Sequence, residues 1–314
     1  MKASKFFMLA ALAGAAVFTS CNNDDEVTNN DPVAVQFSAA IDGQVVANGA
    51  PQTRAAGTTW AANDPIGIVM AIHNQIAYDQ LFRNNAKYTT KTGNGIFNPA
   101  EGEEPITIPD GQTVDFYAYY PWRDDADFNT PMDIAIGTAQ TEGSQPGFDF
   151  LFAKANNNGS GYTQSDGNTI PLVFEHMLSK LVMNVQAGEG VSPISNLSVT
   201  IKGMYTKNKF DMTTGTWGTA ETKANITPRA ITPDASYDAI ILPQAYAAGD
   251  VTVEFAMEGD TYTWNVGEMT FAPKHKYTYT VTLQKSGGAT SVSVNGTINP
   301  WIPGTGGNVT AEPE

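Results

Sequence analysis

Apolar and polar residues alternate along most of this chain, so that over short stretches every second residue is apolar. Because successive side chains of a β-strand point to opposite faces, this alternation predicts strands with one buried face. The clearest alternating segments are residues 33–37, 114–120, 197–201, 251–255 and 277–283. No stretch of ten or more residues sustains the 3.6-residue period of an amphipathic helix, and Ile170 to Leu181 comes nearest to it.

Three further segments fill in the predicted fold. Pro65 to Ile72 is a continuous apolar run, which is typical of a strand buried on both faces. Turn-rich segments such as Lys91 to Gly95 separate short strands, and this arrangement favours an all-β fold of β-sandwiches. The Asn/Gly-rich stretch from Asn156 to Asn168 predicts a boundary between an N-terminal β-sandwich domain, residues 33–160, and a C-terminal one, residues 161–314.

The amino terminus has the pattern of an export signal. Lys2 and Lys5 precede an apolar run from Phe6 to Val17 that is too short to span a bilayer, so residues 1–20 are predicted to be a signal peptide. Cys21, the only cysteine, follows small residues and resembles the lipid-modified cysteine of a bacterial lipobox. The resemblance implies that acyl chains on Cys21 anchor the protein in a membrane. An ordinary signal peptide with an incidental cysteine is the alternative.

Residues 21–32 are polar and predict a solvated tether. The run from Asn22 to Glu26 is rich in acidic residues and resembles the export signal of surface lipoproteins in some Gram-negative anaerobes. This resemblance implies that the lipidated form lies on the outer membrane at the cell surface. An anchor that faces the periplasm is the alternative.

Composition and charge narrow the class of function. The chain has 314 residues, with 17 Lys and Arg against 32 Asp and Glu, and its net charge of −15 argues against nucleic acid as a partner. The three histidines lack the spacing of a zinc site, and His176, among apolar neighbours, is predicted to lie in the core. The acidic run Asp124 to Asp127 lacks an EF-hand pattern and predicts a solvated loop. No metal, cofactor or catalytic residue is expected, because no nucleotide-binding or hydrolase fingerprint occurs.

Four motifs occur in an order that resembles the fimbrillin family, the type V pilins and related surface lipoproteins of Gram-negative gut and oral anaerobes. They are Thr53-Arg54-Ala55 with Trp60 and Asn63 to Ile68, then Val114 to Pro121, then Phe174 to Leu181, and finally Tyr277 to Val281 with Ile298 to Trp301. The resemblance implies two transthyretin-like β-sandwich domains in tandem. It also implies a structural subunit of a surface fimbria that supports adhesion, rather than an enzyme.

The resemblance further implies a route of assembly. In family pilins a trypsin-like protease cuts after an arginine and removes an N-terminal strand, and a strand from the next subunit fills the groove that is left. The contact is head-to-tail and does not close, so it propagates into a filament. In this chain the cut would fall between Arg54 and Ala55, which makes residues 33–54 the removable segment. Its apolar face consists of Val33, Val35, Phe37 and Ile41.

The donor strand is expected within residues 290–310, on the face that carries Val292, Val294 and Ile298. Its expected partners are like or related fimbrial subunits, and the assembled fimbria would meet a host or bacterial surface ligand. This route requires that residues 33–46 form part of the first sheet.

Each step has an alternative. Arg54 is otherwise a loop arginine with no role, while Arg229 is a rival cut site that lies too late in the chain to release an N-terminal strand. Residues 290–310 are otherwise simply the last strand of the second sandwich. The rival function is a permanently anchored surface lipoprotein, or a tip or anchor component, that binds glycan or protein.

Overall fold

A computed structural model describes residues 34–42, 59–75, 81–301 and 310–311. Cys21, Val33, Arg54 and Ala55 lie outside the described residues. The described part is all-β, as predicted, apart from three short 3-10 turns at Gln145–Gly147, Asn157–Gly159 and Gln164–Asp166. No helix within it is long and apolar enough to cross a membrane.

The first eight strands come from the N-terminal half of the chain. They are β1 (Gln36–Ile41), β2 (Pro65–Ile72), β3 (Leu81–Thr90), β4 (Ile96–Pro99), β5 (Val114–Tyr120), β6 (Met132–Ala135), β7 (Leu151–Ala155) and β8 (Thr169–His176). All except β6 form a closed barrel in the order β1-β4-β3-β2-β5-β7-β8. Neighbouring strands are antiparallel except at the closure, where β1 runs parallel to β8 from Gln36 opposite Thr169 to Ile41 opposite Phe174.

The remaining strands build a β-sandwich. They are β9 (Ser179–Ala187), β10 (Ser198–Asp211), β11 (Thr216–Trp217), β12 (Glu221–Ile226), β13 (Arg229–Thr232), β14 (Ser236–Ile241), β15 (Gln244–Tyr246), β16 (Thr252–Met257), β17 (Asp260–Asn265), β18 (Met269–Phe271), β19 (His275–Ser286), β20 (Ala289–Pro300) and β21 (Thr310–Ala311). One sheet has the order β11-β10-β16-β17, with β12 and β6 also paired to β10, and the other has the order β13-β14-β9-β19-β20-β21. Ile201 and Val253 from the first sheet share one core with Met183 and Val281 from the second.

Two barrel strands are buried on both faces, because the barrel packs against the sandwich. On β5, Phe116 points into the barrel core, whereas Tyr117 and Tyr119 belong to the core of the sandwich. On β2, Ile68 likewise belongs to the barrel core and Val69 to the core of the sandwich. This arrangement explains the continuous apolar run of Pro65 to Ile72, since a strand between two cores has no face left for polar side chains.

The all-β class agrees with the prediction, and in the first half seven strands close into a barrel. Residues 160 and 161, the predicted domain boundary, lie between β7 and β8, which pair within that barrel. The domain boundary itself stays a prediction. In addition, β6 pairs with Lys207 to Phe210 of β10 and thereby joins the sandwich. The Asn/Gly-rich stretch does form a loop, but a loop within a sheet has the same composition as a loop between domains.

Candidate functional site

Strand β1 and the residue before it, Val35, contribute four inward-facing side chains to the barrel core. Val35, Phe37, Ala39 and Ile41 are at most 6% exposed, while the alternate residues on the strand remain half-buried. Burial of each large aliphatic or aromatic side chain contributes about 1.5–3 kcal/mol. The predicted burial of Val35, Phe37 and Ile41 therefore agrees with the structure, and these residues make β1 a plug in the barrel wall.

Aromatic rings enclose the middle of the plug. The Phe37 ring meets Tyr88 and Phe116 edge to face, with centroid distances of 5.1 and 5.3 Å. These are favourable geometries for aromatic pairs, which contribute beyond the area they bury. The removal of Phe37 would leave a space lined by the aromatic side chains of Tyr88 and Phe116.

Two side chains of the barrel also bind the main chain of β1. The Tyr88 hydroxyl accepts a hydrogen bond from the Ile106 N–H (2.9 Å) and donates to the Val35 carbonyl (3.3 Å). The Trp60 Nε1–H donates to the Ala39 carbonyl at 2.9 Å. Burial raises the pKa of the Tyr88 phenol, which keeps the hydroxyl protonated and able to donate. Hydrogen bonds to main-chain carbonyls do not depend on the side chains of the strand. They would therefore form with any strand in the same register.

Ala39 is buried beside Trp60, so a larger side chain at this position would overpack the core. The Trp60 indole lies close by and packs against Phe97, Tyr120 and Phe174 at centroid distances of 5.1 to 5.5 Å. On the β4 side, the Ala39 N–H donates to the Gly95 carbonyl at 2.7 Å. A Cβ atom on Gly95 would lie only 2.5 Å from the Ala39 carbonyl oxygen, and the φ of Gly95 is +80°. The backbone around Ala39 is therefore tightly enclosed.

The end of β1 meets the end of the C-terminal strand. The Asp42 N–H donates to the Phe174 carbonyl at 2.7 Å, and the Asp42 side chain lines a small pocket with Glu175, His176, Lys274 and Trp301. The Trp301 ring stacks on His176 at a centroid distance of 4.1 Å and an angle of 6°. His176 is buried, as predicted, and its Nδ1 lies 3.1 Å from Asp149. Strand β1 and the C-terminal strand of the same chain therefore end at one place.

The predicted donor residues Val292, Val294 and Ile298 lie on β20. This strand pairs antiparallel with β19 along its whole length. Its outer edge is paired with β21 only at Gly296 and Thr297. The three apolar side chains are half-buried against the sandwich core, in contrast to the fully buried side chains of β1. In this chain the segment forms the last long strand of the sandwich.

Three of the four arginines lie in the described part of the chain, and each is held there by contacts. The Arg83 side chain donates to the Glu104 carbonyl, and that of Arg123 donates to the Asp133 carbonyl. Arg229, the rival cut site, lies on β13 and donates from Nε to the buried Asp238 carboxylate at 2.7 Å. Burial opposes ionisation of Asp238, but Arg229 and Lys180 outweigh it and hold the pKa of Asp238 below its usual range.

The acidic loop and Trp217 make hydrogen bonds within the fold. No group of three or more potential metal ligands occurs in the described ranges. The Asp127 carboxylate in the acidic loop accepts hydrogen bonds from the Asn84 and Asn129 side chains. Trp217 donates from Nε1 to the Met177 carbonyl at 3.1 Å.

Sequence reasoning missed the contact of Trp60 with Ala39. The alternating pattern of β1 predicts which face of the strand is buried, but it does not predict which groups bind the carbonyls of the strand.

Comparison with known proteins identifies the family. The sequence model of the family described as "Fimbrillin-like" matches residues 53–301, most of the chain. The chain belongs to the fimbrillin-like family. The resemblance inferred from the four motifs is therefore confirmed.

Several proteins similar to this fimbrillin-like chain come from Bacteroides. A protein of Bacteroides uniformis named "Putative fimbrium subunit Fim1C" is 30% identical over 327 residues, which cover 98% of each chain. A crystal structure of a "putative cell adhesion protein" from the same species has a TM-score of 0.66 at 26% identity and covers 87% of this chain and 99% of that chain. A second such structure, from Bacteroides ovatus, shares the fold with a TM-score of 0.64 at 22% identity, and covers 87% of this chain and 99% of that one.

Proposed function

We propose that this fimbrillin-like chain is a structural subunit of a cell-surface fimbria, and that it polymerises by strand exchange once β1 has been removed. It is exported as a lipoprotein through Cys21 to the outer membrane, and a protease then cuts between Arg54 and Ala55. The cleaved subunit, residues 55–314, has lost both the cysteine and the lipid. Assembly is head-to-tail between like or related subunits, and the fimbria supports adhesion to a host or bacterial surface.

The observation that carries this proposal is the position of β1 in the barrel. It closes the barrel through a parallel pairing with β8, and together with Val35 it places four side chains in the core. Its loss would leave the edges of β4 and β8 unpaired and an apolar furrow open to water. Unpaired strand edges and exposed apolar surface both favour the binding of another strand.

The distribution of arginines supports Arg54 as the cut site. Arg83, Arg123 and Arg229 are engaged by contacts with the folded body. Arg54 lies between β1 and Trp60, in a segment flanked by proline, glycine and alanine. Proteases need an extended and accessible segment, so a chain with these contacts offers Arg54 first. A cut there removes β1 but leaves Trp60, a wall of the furrow, in the subunit.

The test uses the precursor without residues 1–21, treated with an arginine-specific protease at low dose. We expect a new N-terminus at Ala55, followed by fibres in the electron microscope and a ladder of oligomers that resists SDS. Arg54→Lys is the matched control, since it keeps the charge but removes the cut site, and it should remain a monomer. A cut at any other arginine, or a cleaved protein that stays monomeric, would contradict the proposal.

One observation favours the rival function. Strand β20 is fully paired with β19, so a tail that never leaves its own sheet could not act as a donor. Such a chain would remain an anchored surface lipoprotein, or would occupy the tip or anchor of a fimbria and bind glycan or protein. An uncut or monomeric product in the same experiment favours this alternative.

A further inference from the structure

We propose that β20 of a second copy enters the open barrel in the same direction as β1, with residues 292–298 in the places of residues 35–41. The inference rests on the strand exchange proposed above, with the donor expected within residues 290–310, and adds the direction and register of the incoming strand. Position by position, Val292 replaces Val35, Val294 replaces Phe37, Gly296 replaces Ala39, and Ile298 replaces Ile41.

The argument begins with the order of side-chain sizes. The inward face of β1 reads large, large, small, large, and the small residue is Ala39. The face of β20 that packs on the sandwich core has the same order, and its small residue is Gly296. In the opposite direction Gly296 would take the place of Phe37, and Val294 would take that of Ala39. A shift of two residues either way also moves Gly296 away from the Ala39 position.

Ala39 decides the register because a larger side chain at its buried position beside Trp60 would overpack the core. Gly95 approaches the Ala39 backbone on the β4 side. The site also provides an acceptor for one N–H and a donor for one carbonyl. Glycine supplies both main-chain groups and adds no side chain, so Gly296 fits this position with the loss of one methyl group.

The outward faces of the two strands agree as well. Neither β1 nor residues 289–300 contain a charged residue. The residues between the apolar positions of β1 are Gln36, Ser38 and Ala40, and those of β20 are Ser293, Asn295 and Thr297. In its own sheet β20 leaves Val292, Val294 and Ile298 half-buried, whereas the corresponding side chains of β1 are fully buried. Transfer into the barrel would therefore bury more of each side chain.

The match is imperfect at one position. Valine at 294 is smaller than Phe37, so the space between Tyr88 and Phe116 would be only partly filled. Strand β1 is therefore the better plug, and it also belongs to the same chain as the barrel. This difference explains why β20 would enter only after proteolysis rather than by displacing β1.

Cysteine cross-linking tests the direction and the register. The cleaved chain contains no native cysteine, so introduced pairs are unambiguous. In β1, Gln36 lies opposite Thr169 and Ala40 lies opposite Val173, and both β8 residues are exposed. We expect the pairs Ser293→Cys with Thr169→Cys and Thr297→Cys with Val173→Cys to give covalent ladders with a short thiol cross-linker. The swapped pairs, Ser293→Cys with Val173→Cys and Thr297→Cys with Thr169→Cys, would lie about 13 Å apart in this register, at roughly 3.3 Å per residue.

The outcomes separate the two proposals. Ladders from the matched pairs alone support the inference, and the uncleaved precursors should give no ladder because β1 occupies the barrel. Fibres that cross-link only through the swapped pairs show entry in the opposite direction and overturn it. Fibres that cross-link through neither set also overturn it, since another register or segment is then the donor. Cleaved protein that forms no fibre contradicts the strand exchange itself.

Discussion

The barrel and the sandwich are each completed by a strand near one end of the chain, and the two strands differ in how they are held. Strand β1 is short, pairs in parallel with β8, and buries every inward side chain. Strand β20 is twice as long, pairs antiparallel with its sequence neighbour β19, and leaves its apolar residues half-buried. Side-chain burial therefore contributes more to holding β1 than it does to holding β20.

This difference suits the opposite fates that we propose for the two strands. A strand that fills a core from a distant part of the sequence leaves a specific cavity when it is cut away. A strand whose apolar side chains are only half-buried, such as β20, loses fewer apolar contacts when it leaves its own sheet. The comparison can therefore be tested by changing one strand at a time and measuring the subunit and the fibre separately.

The largest effect is expected from Phe37→Ala in the uncleaved precursor. Truncation of a fully buried phenylalanine costs about 3–5 kcal/mol of the free energy of unfolding, because aromatic contacts are lost and a cavity forms. The matched change on the other strand is Val294→Ala, which should cost clearly less because the side chain is half-buried and smaller. Urea unfolding of both variants measures the difference. Equal losses would mean that the two strands contribute alike.

Much of this contrast was readable from sequence, because alternation is a local property. The pattern around Phe37 predicted the buried face of β1, and the continuous run from Pro65 predicted a strand between two cores. The parallel pairing of β1 with β8 was not readable, since alternation gives the face of a strand but not its partner. For the same reason, alternation does not tell whether the loop at residues 160 and 161 separates two domains or two strands of one sheet.

The candidate site was predicted unevenly. The residues that fill the barrel from β1 follow from periodicity, but the residues that receive them come from other strands and loops. Trp60 and Gly95 contact Ala39 only because the fold brings them together. The motif that includes Trp60 indicated the family, and not the hydrogen bond. The route by cleavage and exchange came from the family resemblance, with Arg54 placed by its position after the first strand.

The second prediction concerns the hydrogen bond between Trp60 and Ala39. Trp60→Phe keeps an aromatic ring but leaves the Ala39 carbonyl without its donor, which costs about 1–3 kcal/mol when the carbonyl is buried. Both the precursor and the fibre should lose stability, because the incoming strand presents a carbonyl at the same place. Trp217→Phe is the matched control, since it removes a similar bond to Met177 in the sandwich. If fibres of Trp60→Phe lose no more stability than fibres of Trp217→Phe, then Trp60 does not bind the carbonyl of the incoming strand.

The third prediction sharpens the comparison by making the two strands more alike. Val294→Phe restores the side chain that Phe37 provides between Tyr88 and Phe116, and should stabilise the subunit contact by about 1 kcal/mol through added apolar burial. The temperature at which the SDS-resistant ladder dissociates should rise. The monomer should change little, because residue 294 is half-exposed in its own sheet. A ladder that weakens would show that residue 294 does not occupy the Phe37 site.

The smallest effect is expected from pH, and it should separate the sandwich from the strand contact. The folded pKa of Asp238 lies below its ordinary value of 3.8, because Arg229 and Lys180 outweigh the opposing effect of burial. The ionised carboxylate therefore contributes stability that is fully present above pH 4 and is lost as the pH falls through the folded value. Urea unfolding between pH 3 and pH 6 should show a shallower loss in Asp238→Asn than in the unchanged protein. Asp133→Asn is the control because it alters only an exposed ion pair with Lys209, which contributes little.

The aromatic side chains that surround β1 carry no charge in this pH range, so dissociation of the SDS-resistant ladder should not follow the same pH profile. If it does follow that profile, ionisable groups take part in the contact between subunits.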